Sequence, residues 1–172
     1  MIKTIYVDMD GVLSDFKKRF IELFRTNPEV DYPSKKKEKE DYKRQFDNFI
    51  TGEHFATLEP MSDFDEAVRF LESIKDTYSI KILSSYAREK YLKEVPKQKE
   101  HWLSERKIDY PAIFVPGKKL KQYYARPDRL LIDDTLSNVV EWRDRGGPAI
   151  LHTSWQETIA ELQEFYTKDV YQ

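Results

Sequence analysis

The chain has 172 residues, which is enough for one domain with a modest insertion but too few for two complete cores. Apolar residues make up 40% of the sequence, and this supply of core-forming side chains argues against an intrinsically disordered chain. The 29 Lys and Arg nearly balance the 31 Asp and Glu, so the net charge of −2 gives no global field to steer the chain onto nucleic acid or an anionic membrane.

The N-terminal part is predicted to form one strand and then two helices. The segment from Lys3 to Val7 alternates and is rich in β-branched and aromatic residues, which favours a strand that breaks into a tight loop at Asp8. Apolar side chains at helical spacing predict helices over residues 16–24 and 35–51, and Ser34 is the expected N-cap of the second helix.

Strands and helices alternate through the rest of the chain. The predicted elements are a helix over 63–75, a strand over 79–83 ending at Ser84-Ser85, a helix over 88–105 interrupted or restarted at Pro96, strands over 112–115 and 130–132, a helix over 136–145, a strand over 149–151, and a C-terminal helix capped by Ser154 and Glu157. This order predicts an α/β fold, a Rossmann-like parallel sheet with helices on both faces. Residues 1–14 and 61–172 are predicted to form its core, and residues 15–60 a small helical cap inserted after the first strand.

Polar side chains of complementary type stand at the ends of three predicted strands. They are Asp8 and Asp10 after the first strand, Ser84 after the second, and Asp133 with Asp134 after the fourth. Taken singly, each of these residues is as typical of a turn or a helix cap as of a functional site. Because open α/β sheets bind ligands at the carboxyl ends of their strands, their joint occurrence predicts one shared crevice.

Several carboxylates in one crevice repel each other unless a cation neutralises them. Hard oxygen ligands with no His or Cys nearby favour magnesium over zinc, so we expect Mg²⁺ as the cofactor. Magnesium typically takes one or two carboxylates and substrate phosphate, which suits a site where the remaining ligand is a phosphoryl oxygen.

The segment from Asp8 to Val12 resembles the first motif of the haloacid dehalogenase (HAD) superfamily of phosphatases, and the other strand ends match its remaining motifs in order. This resemblance covers the whole chain and implies a HAD-like core. It implies that Asp8 is the nucleophile, which forms an aspartyl-phosphate. It also implies that Asp10 acts as general acid and then base, and that its backbone carbonyl binds magnesium.

The same resemblance implies further roles at the other strand ends. Ser84 corresponds to the residue that donates a hydrogen bond to the phosphoryl group, and Asp134, with Asp133 beside it, completes the metal site. A lysine is also required to neutralise phosphoryl charge in the transition state. The segment from Lys121 to Ala125 best resembles the spacing of that superfamily before the acidic pair, so the resemblance favours Lys121, with Lys119 as the alternative.

The chain also resembles the 5′(3′)-deoxyribonucleotidase branch of that superfamily, in residues 8–13, 55–61, 95–102 and 130–134. This implies hydrolysis of (deoxy)nucleoside monophosphates. Lys99 would then be a second basic residue near the phosphate, and Ser85 would also contact the substrate. Phe16 and Phe55 would receive the nucleobase, where stacking contributes about 1 to 3 kcal/mol and tolerates different bases.

Other functions remain open at this point. One alternative is a HAD phosphatase for sugar phosphates or other small phosphomonoesters, and another is a non-catalytic phosphate-binding module. A signalling receiver domain is disfavoured, because it would carry its acceptor aspartate after the third strand.

Cysteine is absent, which excludes disulfides, thiolate zinc sites and cysteine nucleophiles and agrees with a reducing compartment. No apolar run approaches a membrane span, and the N-terminus becomes acidic at Asp8 before a signal-like segment develops. We therefore expect a soluble cytoplasmic monomer or homodimer that binds neither membranes nor long nucleic acids.

Overall fold

The computed structural model describes residues 1–29, 36–86 and 89–170. Its centre is a five-stranded sheet in the order β3-β2-β1-β4-β5. The strands are β1 (Thr4–Val7), β2 (Ser79–Tyr86), β3 (Ala112–Pro116), β4 (Arg129–Asp133) and β5 (Ala149–Leu151). All neighbouring strands are parallel. The predicted α/β fold with a parallel sheet is therefore confirmed.

The helices lie close to their predicted positions. They are α1 (Phe16–Phe24), α2 (Lys36–Thr51), α3 (Phe64–Ile74), α4 (Glu94–Glu105), α5 (Leu136–Asp144) and α6 (Trp155–Val170), with 3₁₀ helices at His54–Thr57, Glu89–Tyr91 and Lys118–Tyr124. The predicted N-cap Ser34 lies outside the described residues. At α6, the backbone N–H of Glu157 donates to Ser154 Oγ at 3.3 Å, which is one half of the predicted capping box, while the Glu157 side chain accepts from Thr153 Oγ1.

Strand β2 is longer than its sequence pattern indicates. The prediction ended it at Leu83, but Ser84 and Ser85 lie within the strand and pair with Phe114 and Val115 of β3. The apolar pattern stops at Leu83, whereas the backbone continues because β3 supplies hydrogen-bonding partners. Ser84 and Ser85 are therefore held by the sheet and not by a loop.

The helix predicted over residues 88–105 is two separate elements in the described part of the chain. The 3₁₀ helix Glu89–Tyr91 comes first, and α4 then begins at Glu94. Pro96 lies in the first turn of α4, where the missing backbone N–H removes no helical hydrogen bond. The helix therefore restarts just before the proline.

The side chains of the sheet alternate between two hydrophobic clusters. Ile5 and Val7 of β1 belong to a large cluster that also contains Phe20 of α1 and Phe49 of α2. Tyr6 belongs to a second, smaller cluster with α5 residues. Because the helices predicted as a cap share the larger cluster with the sheet, the division into core and cap stays a prediction. Within the described ranges, every helix is too short or too polar to cross a membrane.

Candidate active site

Asp8 stands at the carboxyl end of the central strand. β1 lies between β2 and β4, and the backbone N–H of Asp8 donates to Ile132 O of β4 at 3.0 Å. The side chain of Asp8 is buried, and its Oδ1 accepts a hydrogen bond from Met9 N at 2.8 Å. The sheet therefore fixes both the position and the orientation of this carboxylate.

The loop after Asp8 packs tightly against the end of β4. Gly11 has a φ of +79°, a conformation that side chains rarely adopt. A Cβ at this position would lie 1.9 Å from Asp134 Oδ2. Only glycine fits, because any other residue would displace Asp134 from the loop that carries Asp10.

Asp10 is held from two sides by side chains distant from each other in sequence. Its Oδ1 accepts from Ser14 Oγ at 3.2 Å, and its Oδ2 lies 2.7 Å from Lys99 Nζ. Lys99 comes from α4 and is buried, and its ammonium also donates to Ser84 Oγ at 2.8 Å and to the backbone O of Ser85 at 3.1 Å. The structure thus brings Asp10, Ser84, Ser85 and Lys99 together.

Lys121 forms the second buried cation of the site. Its Nζ lies 2.8 Å from Asp8 Oδ2 and 2.7 Å from Asp133 Oδ2. Burial alone would lower the pKa of Lys121, but the charges of Asp8 and Asp133 and their hydrogen bonds raise it above its usual value. Lys119, the alternative left open by the sequence, is exposed to solvent. The geometry therefore favours Lys121 as the lysine of the site.

Asp133 is fully buried and accepts hydrogen bonds on both carboxylate oxygens. Thr135 N donates to its Oδ1 at 2.9 Å, and Asn138 Nδ2 lies 3.0 Å from each oxygen. Together with Lys121, these donors surround the carboxylate. Burial and the neighbouring Asp8 nevertheless raise the pKa of Asp133, which Lys121 partly offsets.

The site has the features of a metal centre. Asp8, Asp133 and Asp134 each offer a carboxylate oxygen, and these atoms lie within 4.8 Å of one another. Burial, followed by the charges of Asp8 and Asp133, raises the pKa of Asp134 to about 8. A cation would relieve this repulsion, and carboxylate oxygens suit Mg²⁺. Asp8 and Asp134 fit such an ion best, because both line the cleft, whereas Asp133 is fully buried and is not among the described residues that line it.

These groups open into a cleft of about 570 Å³. Its walls contain acidic, basic and aromatic side chains: Asp8, Asp10, Gly11, Phe16, Lys17, Pro28, Glu29, Tyr42, Ser85, Lys118, Lys121, Asp134, Thr135 and Asn138. The polar end is therefore joined to an aromatic end formed by α1 and α2.

The two phenylalanines predicted to receive a base lie at different depths. Among the described residues that line the cleft, Phe16 is present and Phe55 is not. Phe55 is buried and stacks on Phe16, with ring centroids 5.7 Å apart and 9° between the ring planes. Lys99 Nζ also lies 4.9 Å from the centroid of the Phe55 ring. The buried ring of Phe55 therefore packs behind Phe16, which lines the cleft, and contacts Lys99.

Sequence reasoning missed several residues of the cleft. Asn138 follows the acidic pair in the first turn of α5, and this position was the one available signal for it. Tyr42 belongs to the apolar pattern of α2, so it was assigned only to the helix. Lys17 and Glu29 form an ion pair with a distance of 2.5 Å at the cleft wall, and no motif marks them.

Comparison with known proteins agrees with this architecture. Residues 1–168 match the family described as 5′ nucleotidase, deoxy (pyrimidine), cytosolic type C protein. No curated protein sequence matches the chain.

Two solved structures show the same fold at low sequence identity. One is a HAD family enzyme from Bacteroides thetaiotaomicron in a magnesium complex, with a TM-score of 0.54 and 12% identity over 88% of this chain and 93% of that chain. The other is an aspartate-to-alanine mutant of that enzyme with magnesium and inorganic phosphate, with a TM-score of 0.52 and 13% identity over 92% and 99% of the two chains.

Proposed function

The chain belongs to the family of 5′ nucleotidase, deoxy (pyrimidine), cytosolic type C proteins, and we propose that it hydrolyses (deoxy)nucleoside monophosphates with Mg²⁺ as cofactor through an aspartyl-phosphate on Asp8. The observation that carries this proposal is the convergence of Asp8, Asp10, Lys121 and Asp134 on one cleft. In the chain these residues lie on three separate segments, and their convergence in a cleft favours a site that handles a charged group.

Asp8 is the nucleophile of the proposed reaction. Its carboxylate attacks phosphorus, and the bond between phosphorus and the ester oxygen of the nucleoside breaks. Lys121 and Met9 N already hold the two oxygens of Asp8, which fixes the orientation of the carboxylate. The ammonium of Lys121 also lies where it offsets the charge of the transferring phosphoryl group.

Asp10 moves the protons of both steps. As a general acid it protonates the leaving ester oxygen of the nucleoside. As a base it then takes a proton from the water that attacks the aspartyl-phosphate, and this attack releases phosphate and restores Asp8. Its position beside Lys99 and Ser84 places it next to the groups proposed to bind the phosphate.

The carboxylates of Asp8 and Asp134 and the backbone carbonyl of Asp10 are the ligands that we assign to Mg²⁺. When bound, the ion neutralises negative charge on the phosphoryl oxygens and on the ligands themselves. Asp133 was predicted as a further ligand, but its hydrogen bonds support a different role. Asp133 holds Lys121 in place, and Asn138 in turn donates to Asp133.

The aromatic end of the cleft fits a nucleobase. Phe16 presents its ring to the cleft and is backed by Phe55, and Tyr42 lies on the same wall. Aromatic rings in such a cleft stack on the face of a base and discriminate little between bases.

The family description also supports a cytoplasmic location.

A substrate panel tests this proposal. Purified protein is assayed for phosphate release from deoxynucleoside 5′- and 3′-monophosphates, ribonucleoside monophosphates and sugar phosphates, with Mg²⁺ or with EDTA. We expect Mg²⁺-dependent release, with the highest kcat/KM for nucleotides. A higher kcat/KM for sugar phosphates would instead indicate a phosphatase for sugar phosphates. Absence of phosphate release from every ester would indicate a non-catalytic phosphate-binding module. The Asp8→Asn variant serves as the control for contaminating phosphatases.

A further inference from the structure

The two oxygens of the Asp10 carboxylate have different partners. Lys99 Nζ contacts Oδ2 at 2.7 Å, and Ser14 Oγ donates to Oδ1 at 3.2 Å. The ammonium of Lys99 is shared with Ser84 and with the backbone O of Ser85. Lys99 therefore draws one oxygen towards α4, while Ser14 holds the other on the side of the loop.

The backbone of Ser14 is unusually well fixed. Ser14 is fully buried, its N–H donates to Met9 O at 2.9 Å, and its carbonyl accepts from Gly11 N at 2.8 Å. It also forms isolated β-bridges with Asp10 and with Pro60. The hydroxyl is thus presented from a rigid support to a carboxylate that itself reaches the cleft.

A hydroxyl and an ammonium differ in what they can do for a group that gains and loses a proton. Lys99 can only donate a hydrogen bond. The hydroxyl of Ser14 can donate to the carboxylate and accept from the carboxylic acid. Ser14 is therefore the partner that can serve Asp10 both as a donor and as an acceptor.

We propose that Ser14 is a positioning residue that holds the Asp10 carboxyl group in the orientation from which it transfers a proton to the leaving oxygen. This inference rests on the proposed function, because it requires Asp10 to act as the general acid. Ser14 itself is fully buried and is not among the described residues that line the cleft. Removal of the Ser14 hydroxyl leaves Lys99 as the remaining side-chain partner of the Asp10 carboxyl group, which can then rotate away from the leaving group.

The test is a comparison of leaving groups in the Ser14→Ala variant. For wild type and variant, kcat/KM is measured with p-nitrophenyl phosphate, which has a good leaving group, and with phenyl phosphate and a deoxynucleoside monophosphate, which have poor ones. We expect kcat/KM to fall about tenfold for the poor leaving groups and less than about threefold for p-nitrophenyl phosphate. Ser104→Ala, at an exposed position of α4, is the matched control and should behave as wild type.

A double-mutant cycle separates positioning from a general structural effect. In the Asp10→Asn background, Ser14→Ala should cause no further loss of kcat/KM, because the group that it positions is gone. Equal losses for all leaving groups, or a full loss that persists in the Asp10→Asn background, would overturn the inference. If the wild type and the Ser14→Ala variant are equally active, the inference about Ser14 is refuted and the proposed function stands. If the wild type shows no turnover, the proposed function is refuted as well.

Discussion

The ammonium of Lys121 lies 2.8 Å from Asp8 Oδ2, at a depth where the Lys121 side chain is 2% exposed and that of Asp8 is 9% exposed. The two charges therefore interact with little screening by solvent. A buried pair of this kind is strongly destabilised when one partner is removed, because the other charge stays uncompensated. Stability and activity should thus depend on the same lysine.

The first prediction compares Lys121 with Lys119. Lys121→Ala should lower kcat/KM for a deoxynucleoside monophosphate by about 10²- to 10³-fold, because the charge opposite the phosphoryl group is lost. It should also lower the free energy of unfolding by about 3 to 5 kcal/mol, since Asp8 and Asp133 lose their common cation. Steady-state kinetics and urea unfolding measure the two effects.

Lys119→Ala is the matched control for this experiment. Lys119 belongs to the same 3₁₀ helix but is exposed, so its removal should change neither quantity by much. A Lys119→Ala variant that loses turnover while Lys121→Ala keeps it would reverse the assignment.

The second prediction concerns the nucleophile. Asp8→Asn should abolish turnover and leave the fold intact, because the amide keeps the shape of the carboxylate but is a poor nucleophile. Lys121 retains Asp133 as an ionic partner in this variant. Phosphate release and circular dichroism are the measurements. Residual turnover close to wild type would show that phosphate transfer does not pass through Asp8.

The third prediction distinguishes the two phenylalanines by their depth. Phe16→Ala should raise KM for deoxynucleoside monophosphates more than for p-nitrophenyl phosphate, because a ring that faces the cleft is removed. Phe55→Ala should instead lower the free energy of unfolding by about 3 to 5 kcal/mol, because a buried ring leaves a cavity. Kinetics on both substrates and urea unfolding decide the assignment.

The sequence resemblance predicts direct contact between Phe55 and the base. If Phe55→Ala changes nucleotide selectivity as strongly as Phe16→Ala and leaves stability unchanged, that expectation is correct and the ring reaches the substrate in solution.

Sequence patterns predicted the parts of the site that depend on strand ends. Asp8 and Asp134 could be placed together because parallel strands end at the same edge of a sheet. The side chains that support them were harder to predict, because their contacts depend on packing between distant segments. Lys99 reaches Asp10 from α4, and the length of β2 depends on pairing with β3. Ser14 and Asn138 carry no motif that the sequence alone would single out.

The fourth prediction follows from the raised pKa of Asp134. In the folded protein this pKa is about 8, whereas its ordinary value is 3.8. Between these values the folded state binds a proton that the unfolded state has lost, so the stability of the metal-free protein should fall as pH rises from about 4 to about 8. Asp134→Asn should flatten this dependence and raise the Tm in EDTA near pH 8 by several degrees.

Addition of Mg²⁺ provides the second half of this experiment. The ion should raise the Tm of the wild type and leave that of Asp134→Asn nearly unchanged, because a ligand is missing. Asp109→Asn, at an exposed position, controls for the loss of a negative charge elsewhere. An Asp134→Asn variant that is less stable than wild type in EDTA would contradict the predicted repulsion.

The fifth prediction concerns His152, whose backbone N–H donates to Asp133 O at 2.9 Å. Its ring is buried, and Nδ1 lies 2.8 Å from Thr158 Oγ1. Burial lowers the pKa of His152, and Asp63 offsets this only in part. Below about pH 6.5 the unfolded chain takes up a proton that the folded state resists, so the free energy of unfolding should decrease as pH falls from about 7 to about 5.

His152→Gln should weaken this decrease when urea unfolding is followed across the same pH range. A smaller dependence should remain, because burial also lowers the pKa of His54. His101→Gln, at an exposed position of α4, should leave the wild-type dependence unchanged. If the free energy of unfolding of the His152→Gln variant decreases with falling pH as steeply as that of the wild type, the buried ring of His152 does not cause the pH dependence.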